Sequence, residues 1–244
     1  MLAVVIARDE ERSIGMVVRG IPETACGLGV DILVVDDGSG DRTPELARAA
    51  GADVVSHPRS RGVGAALRTG LERAREAGYG AAVHLDGDGE YDPADFERLV
   101  APVAQGRAEQ VLGSRFLGTR DGMTWHRSLA NRAASALVGA MIGGTAVTDA
   151  QTGYRAFGRI ALAAAEIRHD YNSAQVLILS LWGAGIEPVE VPISYRRREA
   201  GRSFVRYPEY LWRVTPAVWR AWRAARRARE RSGRTAEAAA APST

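Results

Sequence analysis

The chain contains no lysine; all 32 of its Lys-plus-Arg positions are Arg. This reflects codon usage rather than function. Cysteine is nearly absent too: Cys26 stands alone, which excludes an internal disulfide and suits a cytoplasmic setting. Long apolar runs are also missing. Ser135 to Val147 and Ala174 to Ile186 are the most apolar stretches, and both fall short of the roughly 20 residues that a membrane span needs. The first residues, Met1-Leu2-Ala3-Val4-Val5-Ile6, have neither the basic flank nor the length of a signal peptide. No internal repeat is present. What remains is ordinary for a globular protein of one large domain or two small ones, with 46% hydrophobic and 25% charged residues in 244. The net charge of +3 is unevenly spread. Arg206 to Arg231 holds eight Arg and two Glu, so that arm carries +6 and the rest of the chain −3. A mildly acidic body excludes a general nucleic-acid binder, and the basic arm points to an anionic surface.

Short apolar strands alternate with helical stretches through the first half. Leu2–Ile6, Asp31–Val35, Asp53–Ser56 and Ala81–Leu85 read as strands, and helices follow through Val17-Val18, Leu46-Ala50 and Gly62–Ala77. This alternation predicts an α/β fold with a mostly parallel central sheet and helices on both faces. Functional groups then belong just past the strand ends. Three of the four strands do end in acids: Asp9-Glu10, Asp36-Asp37 and Asp86-x-Asp88. The second half is less regular. A short strand is expected at Val111–Arg115, a helix over His126–Ile142, a strand-like segment over Asp149–Phe157 and a helix over Ala174–Trp182. An edge strand with Pro188 and Pro192 is expected over Ile186–Tyr195. A long helix from Pro208, interrupted near Pro216, should lead into a disordered tail over 232–244.

The densest chemistry lies at Leu85-Asp86-Gly87-Asp88-Gly89-Glu90-Tyr91-Asp92-Pro93. Asp86, Asp88 and Glu90 alternate as the strand ends and so point one way on an extended chain. Crowded carboxylates repel unless a positive charge sits among them, and a hard divalent cation with oxygen ligands is the natural occupant. Taken alone, the motif also reads as a solvated acidic turn. Gly87 and Gly89 leave room for a ligand near the backbone. Asp92 and Pro93 form the cap and first turn of a helix.

Six motifs occur in order. They are Val34-Val35-Asp36-Asp37-Gly38-Ser39; His57-Pro58 leading to Gly62-Val63-Gly64-Ala65-Ala66-Leu67; the acidic cluster; Gly113-Ser114-Arg115; Asp149-x-x-Thr152-Gly153-Tyr154-Arg155; and Glu190-Val191-Pro192-Ile193 leading to Tyr195-Arg196-x-Arg198-x-x-Gly201-x-Ser203. Together they resemble the family-2 glycosyltransferases, in the polyprenyl (dolichyl) phosphate mannosyltransferase-like branch, from about Val4 to Ser203. The resemblance implies a nucleotide-diphosphosugar transferase (GT-A type) fold over 1–205, with a nucleotide-sugar half (1–90) and an acceptor half (91–205). The basic amphipathic helix (206–231) follows.

The implied reaction is an inverting transfer of a hexose from a GDP-mannose or UDP-glucose type of donor to an acceptor, in this branch a polyprenyl phosphate. Mg²⁺ or Mn²⁺ would be held by Asp86, Asp88 and Glu90, with Asp88 the leading ligand. Ala7, Arg8, Glu10, Asp36, Asp37, Gly64, Asp86 and Gly87 would contact the nucleotide. Arg8 stands where the family usually has a Tyr that stacks on the base, and its guanidinium can also stack. Arg115, Arg127, Arg155, Arg196, Arg198, Arg202 and Ser203 would meet the acceptor or the phosphates, the last four on a basic loop that could close over them. Asp149 would be the general base for a hydroxyl acceptor. A lipid phosphate needs no base, and Asp149 would then orient Arg155 or the loop.

The C-terminal helix, with three of the five Trp and a stripe of Leu211, Thr215, Val218 and Trp222, suits either the inner membrane surface or packing on the catalytic domain or a second copy of the chain. Three alternatives to the lipid-directed transferase remain: transfer to a soluble hydroxyl acceptor, a sugar-phosphate nucleotidyltransferase, and a non-catalytic nucleotide-sugar-binding protein. The nucleotidyltransferase would need a basic Gly-rich loop after the first strand, where Arg8-Asp9-Glu10-Glu11 stands.

Overall fold

Strand β1 (Leu2–Ala7) is buried at every position, as expected of a strand covered on both faces. Its alternate side chains divide between two cores. Ala3, Val5 and Ala7 enter one, and Leu2, Val4 and Ile6 the other. The computed structural model describes residues 1–170, 174–197 and 207–240, the last segment with side chains from Val214 to Arg231. After β1 come helix α1 (Ile14–Gly20), a small hairpin of β2 (Thr24–Ala25) and β3 (Leu28–Gly29), β4 (Asp31–Asp36), α2 (Thr43–Ala49), β5 (Asp53–Ser56), α3 (Val63–Glu76) and β6 (Ala81–Asp86). A 3-10 turn at Pro93–Asp95 opens α4 (Phe96–Ala104), with the Asp92 side chain accepting from Ala94 N–H as its cap. Then follow β7 (Gln110–Asp121), α5 (Trp125–Met141), β8 (Arg155–Gly158), α6 (Arg159–Ala164), α7 (Ala174–Gly183), β9 (Pro188–Arg196) and α8 (Tyr207–Ala240).

Seven strands make one sheet in the order β5-β4-β1-β6-β8-β7-β9. Only β8 runs against its neighbours; every other pairing is parallel. Helices α1, α2 and α4 cover one face and α3, α6 and α7 the other, so the mostly parallel, doubly covered sheet is the one the alternation predicts. A third core joins Val138 of α5 and Ile142 just after it, Val176, Leu179 and Trp182 of α7, and Val214, Ala217, Val218 and Ala225 of α8.

The second half departs from expectation in several places. β7 is longer than the Val111–Arg115 strand, because its outer part pairs with β9 after a register shift between Ser114 and Thr119. The 149–154 segment is not a strand. Its backbone donors go to side chains instead, and β8 begins only at Arg155. Helix α8 runs through Pro216 without a break, since Val214, Ala217 and Val218 pack into the third core on both sides of it. That packing offsets the roughly 3 kcal/mol cost of a helix-interior proline. The expected tail is helical in its backbone as far as Ala240, in keeping with the high helix propensity of its Ala, Arg and Glu; 241–244 lie outside the described residues. Val218 and Trp222 of the expected stripe are turned into the body, Thr215 is exposed, and the Leu211 side chain is outside the described set. Trp222 Nε1 donates to Met141 O (2.9 Å), and Arg229 bonds Trp182 O and Glu187. Among the described residues no helix is long and apolar enough to cross a membrane.

One carboxylate shapes the loop that leads into α3. Asp37 Oδ1 accepts from Arg61 N–H (2.9 Å) and lies 2.8 Å from His57 Nδ1; Oδ2 accepts from the Ser60 hydroxyl and Gly62 N–H (both 2.8 Å). Burial alone would raise its pKa. The donors from Arg61, His57, Ser60 and Gly62 outweigh burial and hold it below the usual carboxylate value. A depressed folded pKa stabilises the fold above the unfolded carboxylate pKa of about 3.9, and that contribution drains away as pH falls through the folded value. Asp37→Asn should therefore destabilise the protein at pH 7 by about 1.5–3 kcal/mol, as for hydrogen bonds to a charged group. The difference from the parent chain should shrink toward pH 3. Urea titrations at both pH values measure this, and an equal loss at each would show that the charge of Asp37 is not what matters.

Candidate active site

The carboxyl ends of β1, β4, β5 and β6 bring the first-half residues to one edge of the sheet. Arg8 follows β1, and its Nη1 donates to Ser60 Oγ (3.0 Å), the same hydroxyl that donates to Asp37. Asp36, at the end of β4, accepts from both the N–H and the hydroxyl of Ser39 through Oδ1. Its Oδ2 holds no hydrogen bond among the described residues. Glu10 is buried, and its N–H donates to Thr43 Oγ1 (2.8 Å), tying the loop after β1 to the start of α2. Ala7 is buried and its carbonyl accepts from Asp37 N–H (2.9 Å).

Several expected nucleotide contacts serve the protein itself. Asp37 faces inward with both oxygens engaged, so Asp36 is the member of the pair with an oxygen to offer. Gly64 N–H donates to Asp170 O (2.8 Å), and a Cβ there would strike His169 O. With the Gly62 and Gly64 donors both committed, the start of α3 is not an open phosphate cradle. Gly87 is buried; a Cβ on it would press on Ala7, Ile14 and Ile6 O at 3.0–3.2 Å. Its smallness lets β6 close on β1 and does not make room for a ligand.

The second half supplies a buried ion pair. Arg115 Nε and Nη2 donate to Asp149 Oδ2 (2.6 Å) and Oδ1 (2.8 Å), a bidentate contact between side chains 2% and 0% exposed. Arg115 N–H also donates to Oδ2 and Gln151 N–H to Oδ1. Burial alone would lower the Arg115 pKa; Tyr91, Asp149 and Glu90 outweigh it, and the guanidinium is held above its ordinary value. Glu190 of β9 accepts from Thr148 N–H and Asp149 N–H, which presents Asp149 to Arg115. The Tyr195 ring lies 5.6 Å from the guanidinium carbons of both Arg115 and Arg127, and its hydroxyl accepts from Arg127 Nη1 (2.9 Å). Tyr91 packs beside Tyr154 and its hydroxyl accepts from Gly153 N–H (2.7 Å).

Asp149 thus orients Arg115, not Arg155. Arg155 is itself a correction: its guanidinium is buried and donates to the carbonyls of Ala150, Thr152 and Ala174, so it braces the fold and is not open to an acceptor. Arg196 closes strand β9 and is not on the loop expected for it; its side chain is exposed and donates to Asp92 Oδ2 (2.8 Å). Arg198, Arg202 and Ser203 lie outside the described residues. Tyr91, Tyr195 and Glu190 were not singled out for a role from the sequence. The signal for Tyr195 was its place one residue before Arg196 on an edge strand.

The three-carboxylate metal set is not assembled. Glu90 is drawn to Arg127 Nη2 (3.4 Å), and Asp88 Oδ1 accepts from Glu90 N–H (3.0 Å). Among the described residues no group of three His, Cys, Asp or Glu side chains forms a metal cage. Asp86, the last residue of β6, and Asp88 just past it remain. Asp86 lies against Gly153, where a Cβ would collide with its Oδ2, and its Oδ1 is 3.5 Å from the buried His84. By their chemistry these two carboxylates would suit a hard divalent cation.

The sequence and the fold have known relatives. The family model for glycosyl transferase family 2 matches residues 3–163. The polyprenol monophosphomannose synthase of Mycolicibacterium smegmatis is 33% identical over 214 residues, 83% of this chain and 79% of that one. The undecaprenyl-phosphate mannosyltransferase of Micrococcus luteus is 30% identical over 202 residues, 78% and 79% of the two chains. In fold, the chain is similar to the glucosyl-3-phosphoglycerate synthase of Mycobacterium tuberculosis, crystallised with Mn²⁺, UDP-glucose and phosphoglyceric acid, at a TM-score of 0.73 and 21% identity, over 91% of this chain and 79% of that one. The chain belongs to glycosyl transferase family 2.

Proposed function

We propose that this enzyme is an inverting, metal-dependent hexosyltransferase that moves a sugar from a nucleoside-diphosphate sugar to the phosphate of a polyprenyl phosphate. The observation that carries the acceptor is the state of Asp149. A general base needs a free oxygen for the incoming hydroxyl, and here both oxygens are bonded to Arg115. A phosphate acceptor is already anionic near pH 7 and needs none. Its oxygen attacks the anomeric carbon, the bond to the diphosphate breaks, and the nucleoside diphosphate leaves with the electron pair. Asp149 fixes the Arg115 guanidinium through Nε and Nη2, which leaves Nη1 for an anion; Arg127 and Arg196 add positive charge from α5 and β9. The names of the relatives, which specify polyprenol and undecaprenyl-phosphate mannosyl transfer, support the same reading. On the donor side, Arg8 and Asp36 would engage the base or ribose. Asp86 and Asp88 would hold Mg²⁺ or Mn²⁺, which when bound neutralises the charge growing on the leaving diphosphate. The exposed Arg220, Arg223, Arg226 and Arg227 of α8 suit an anionic membrane surface.

Two experiments test this reading. Calorimetric titration with GDP and UDP should show tighter binding with Mn²⁺ or Mg²⁺ than after chelation, and the better ligand identifies the donor nucleotide. Asp88→Ala should lose the metal-dependent increment and transfer activity while its melting temperature stays near that of the parent chain. Equal binding with and without metal would remove the cation from the mechanism.

The second concerns Asp149→Asn. Loss of charge-assisted hydrogen bonds worth about 1.5–3 kcal/mol should lower kcat/KM for a polyprenyl phosphate by about 10- to 100-fold. The loss should appear in the acceptor KM, with donor binding and the shape of the pH–rate profile retained. A loss beyond about 10³-fold, together with loss of the profile's ascending limb, would identify a general base and a hydroxyl acceptor.

A further inference from the structure

Helix α5 carries no acidic residue, and the face it turns outward is mostly apolar, interrupted by the exposed His126. Trp125 is 77% exposed, Leu129 62% and Leu137 54%. With the exposed Ala133, Ala136 and Ala140 they fall on one helical arc, opposite the buried Asn131, Ser135, Val138 and Gly139. Large apolar side chains exposed together mark an interaction surface, whereas scattered ones do not. At the end of α5, Trp222 Nε1 donates to the Met141 carbonyl, and the half-exposed Trp219 lies tilted against Trp222 with ring centroids 4.8 Å apart. One flank is basic. Arg120 and Arg132 lie over the Phe116 ring at 5.1 and 5.0 Å, Arg120 also bonds Ser128 of α5, and the exposed Leu117 lies next to Phe116 in β7.

We propose that this strip docks the enzyme on an anionic lipid bilayer, with Trp125, Leu129, Leu137 and Trp219 entering the interface and Arg120 and Arg132 meeting the headgroups. Trp and Leu on one helical face with Arg alongside is the composition of an interfacial helix, and an acid-free helix complements a negative leaflet. A second copy fits less well. An isologous contact would set one arginine-flanked strip against another and bring like charges together. The strip is also continuous with the site: Arg127, two residues beyond Trp125, holds Glu90 and Tyr195. Docking here would set the acceptor side of the site at headgroup level. In this respect the inference rests on the polyprenyl-phosphate reading above. It also places the apolar contact on α5, because most of the apolar face of α8 is covered by the body.

The test uses the full chain and vesicles free of any acceptor, of phosphatidylcholine alone or mixed with phosphatidylglycerol. The parent chain should co-sediment with the mixed vesicles and more weakly with the neutral ones. Leu129→Glu with Leu137→Glu should bind the mixed vesicles at least tenfold more weakly, with an unchanged melting temperature. Transfer to a short-chain, water-soluble polyprenyl phosphate should be unaffected in this variant, which shows that the site is intact. Equal sedimentation of variant and parent, or no vesicle binding by the parent, overturns the proposal. So does a strip-dependent dimer in light scattering without vesicle binding, which would assign the face to a second copy. Vesicle binding by a chain that glycosylates no polyprenyl phosphate would uphold the docking face and refute the acceptor. Transfer to the soluble acceptor without vesicle binding would do the reverse.

Discussion

Arg115 and Asp149 bury two full charges in the second half of the molecule, and much of the surrounding structure serves to make that tolerable. Breaking such a pair by removing one partner typically costs about 3–5 kcal/mol, because the other charge is left without compensation in the interior. Glu190 reaches across from β9 to hold the backbone of Thr148 and Asp149, and the Ser114 and Thr148 hydroxyls pair beside it at 2.6 Å. The Tyr195 ring adjoins both Arg115 and Arg127. The outcome is a guanidinium whose position the fold itself fixes, which on the proposed reading would let it meet an anion with little reorganisation.

The first half follows a different economy. Its sheet is regular and its loops are tied to one another: Asp9 N–H to Ser39, Glu10 N–H to Thr43, Glu11 N–H to Asp41, and Asp37 to the 57–62 segment. The Ser39 and Thr43 hydroxyls and the Asp37 and Asp41 carboxylates hold the loop ends of β1, β4 and β5 in register. This rigid edge faces the carboxylates of β6, and the two halves meet where Tyr91 bonds Gly153 and Gly153 adjoins Asp86.

Much of the fold was legible because its signals are local. The apolar runs of β1, β4 and β6 announce strands covered on both faces, and the helices between them impose parallel pairing. In a parallel sheet every strand points its carboxyl end to the same edge, so acids at strand ends had to converge. Chain order therefore located Asp36, Asp86 and Asp88 without any coordinates. Helix α8 was legible as an amphipathic element too, but not its course through Pro216, since the packing that supports it comes from α5 and α7.

The sequence by itself thus determined the sheet, its polarity, the edge on which chemistry gathers and the family of the chain. Only the tertiary structure decided which charged side chains remain open to a ligand. Arg155 and Arg196 look alike in sequence, yet one is buried among three carbonyls and the other is exposed beside Asp92. Asp37 is engaged by four groups of the 57–62 segment, Glu90 is drawn to Arg127, and Asp149 is locked to Arg115 across 34 positions of chain. A carboxylate or guanidinium takes its role from the groups that reach it first. Those groups come from distant segments, so no local pattern can specify them.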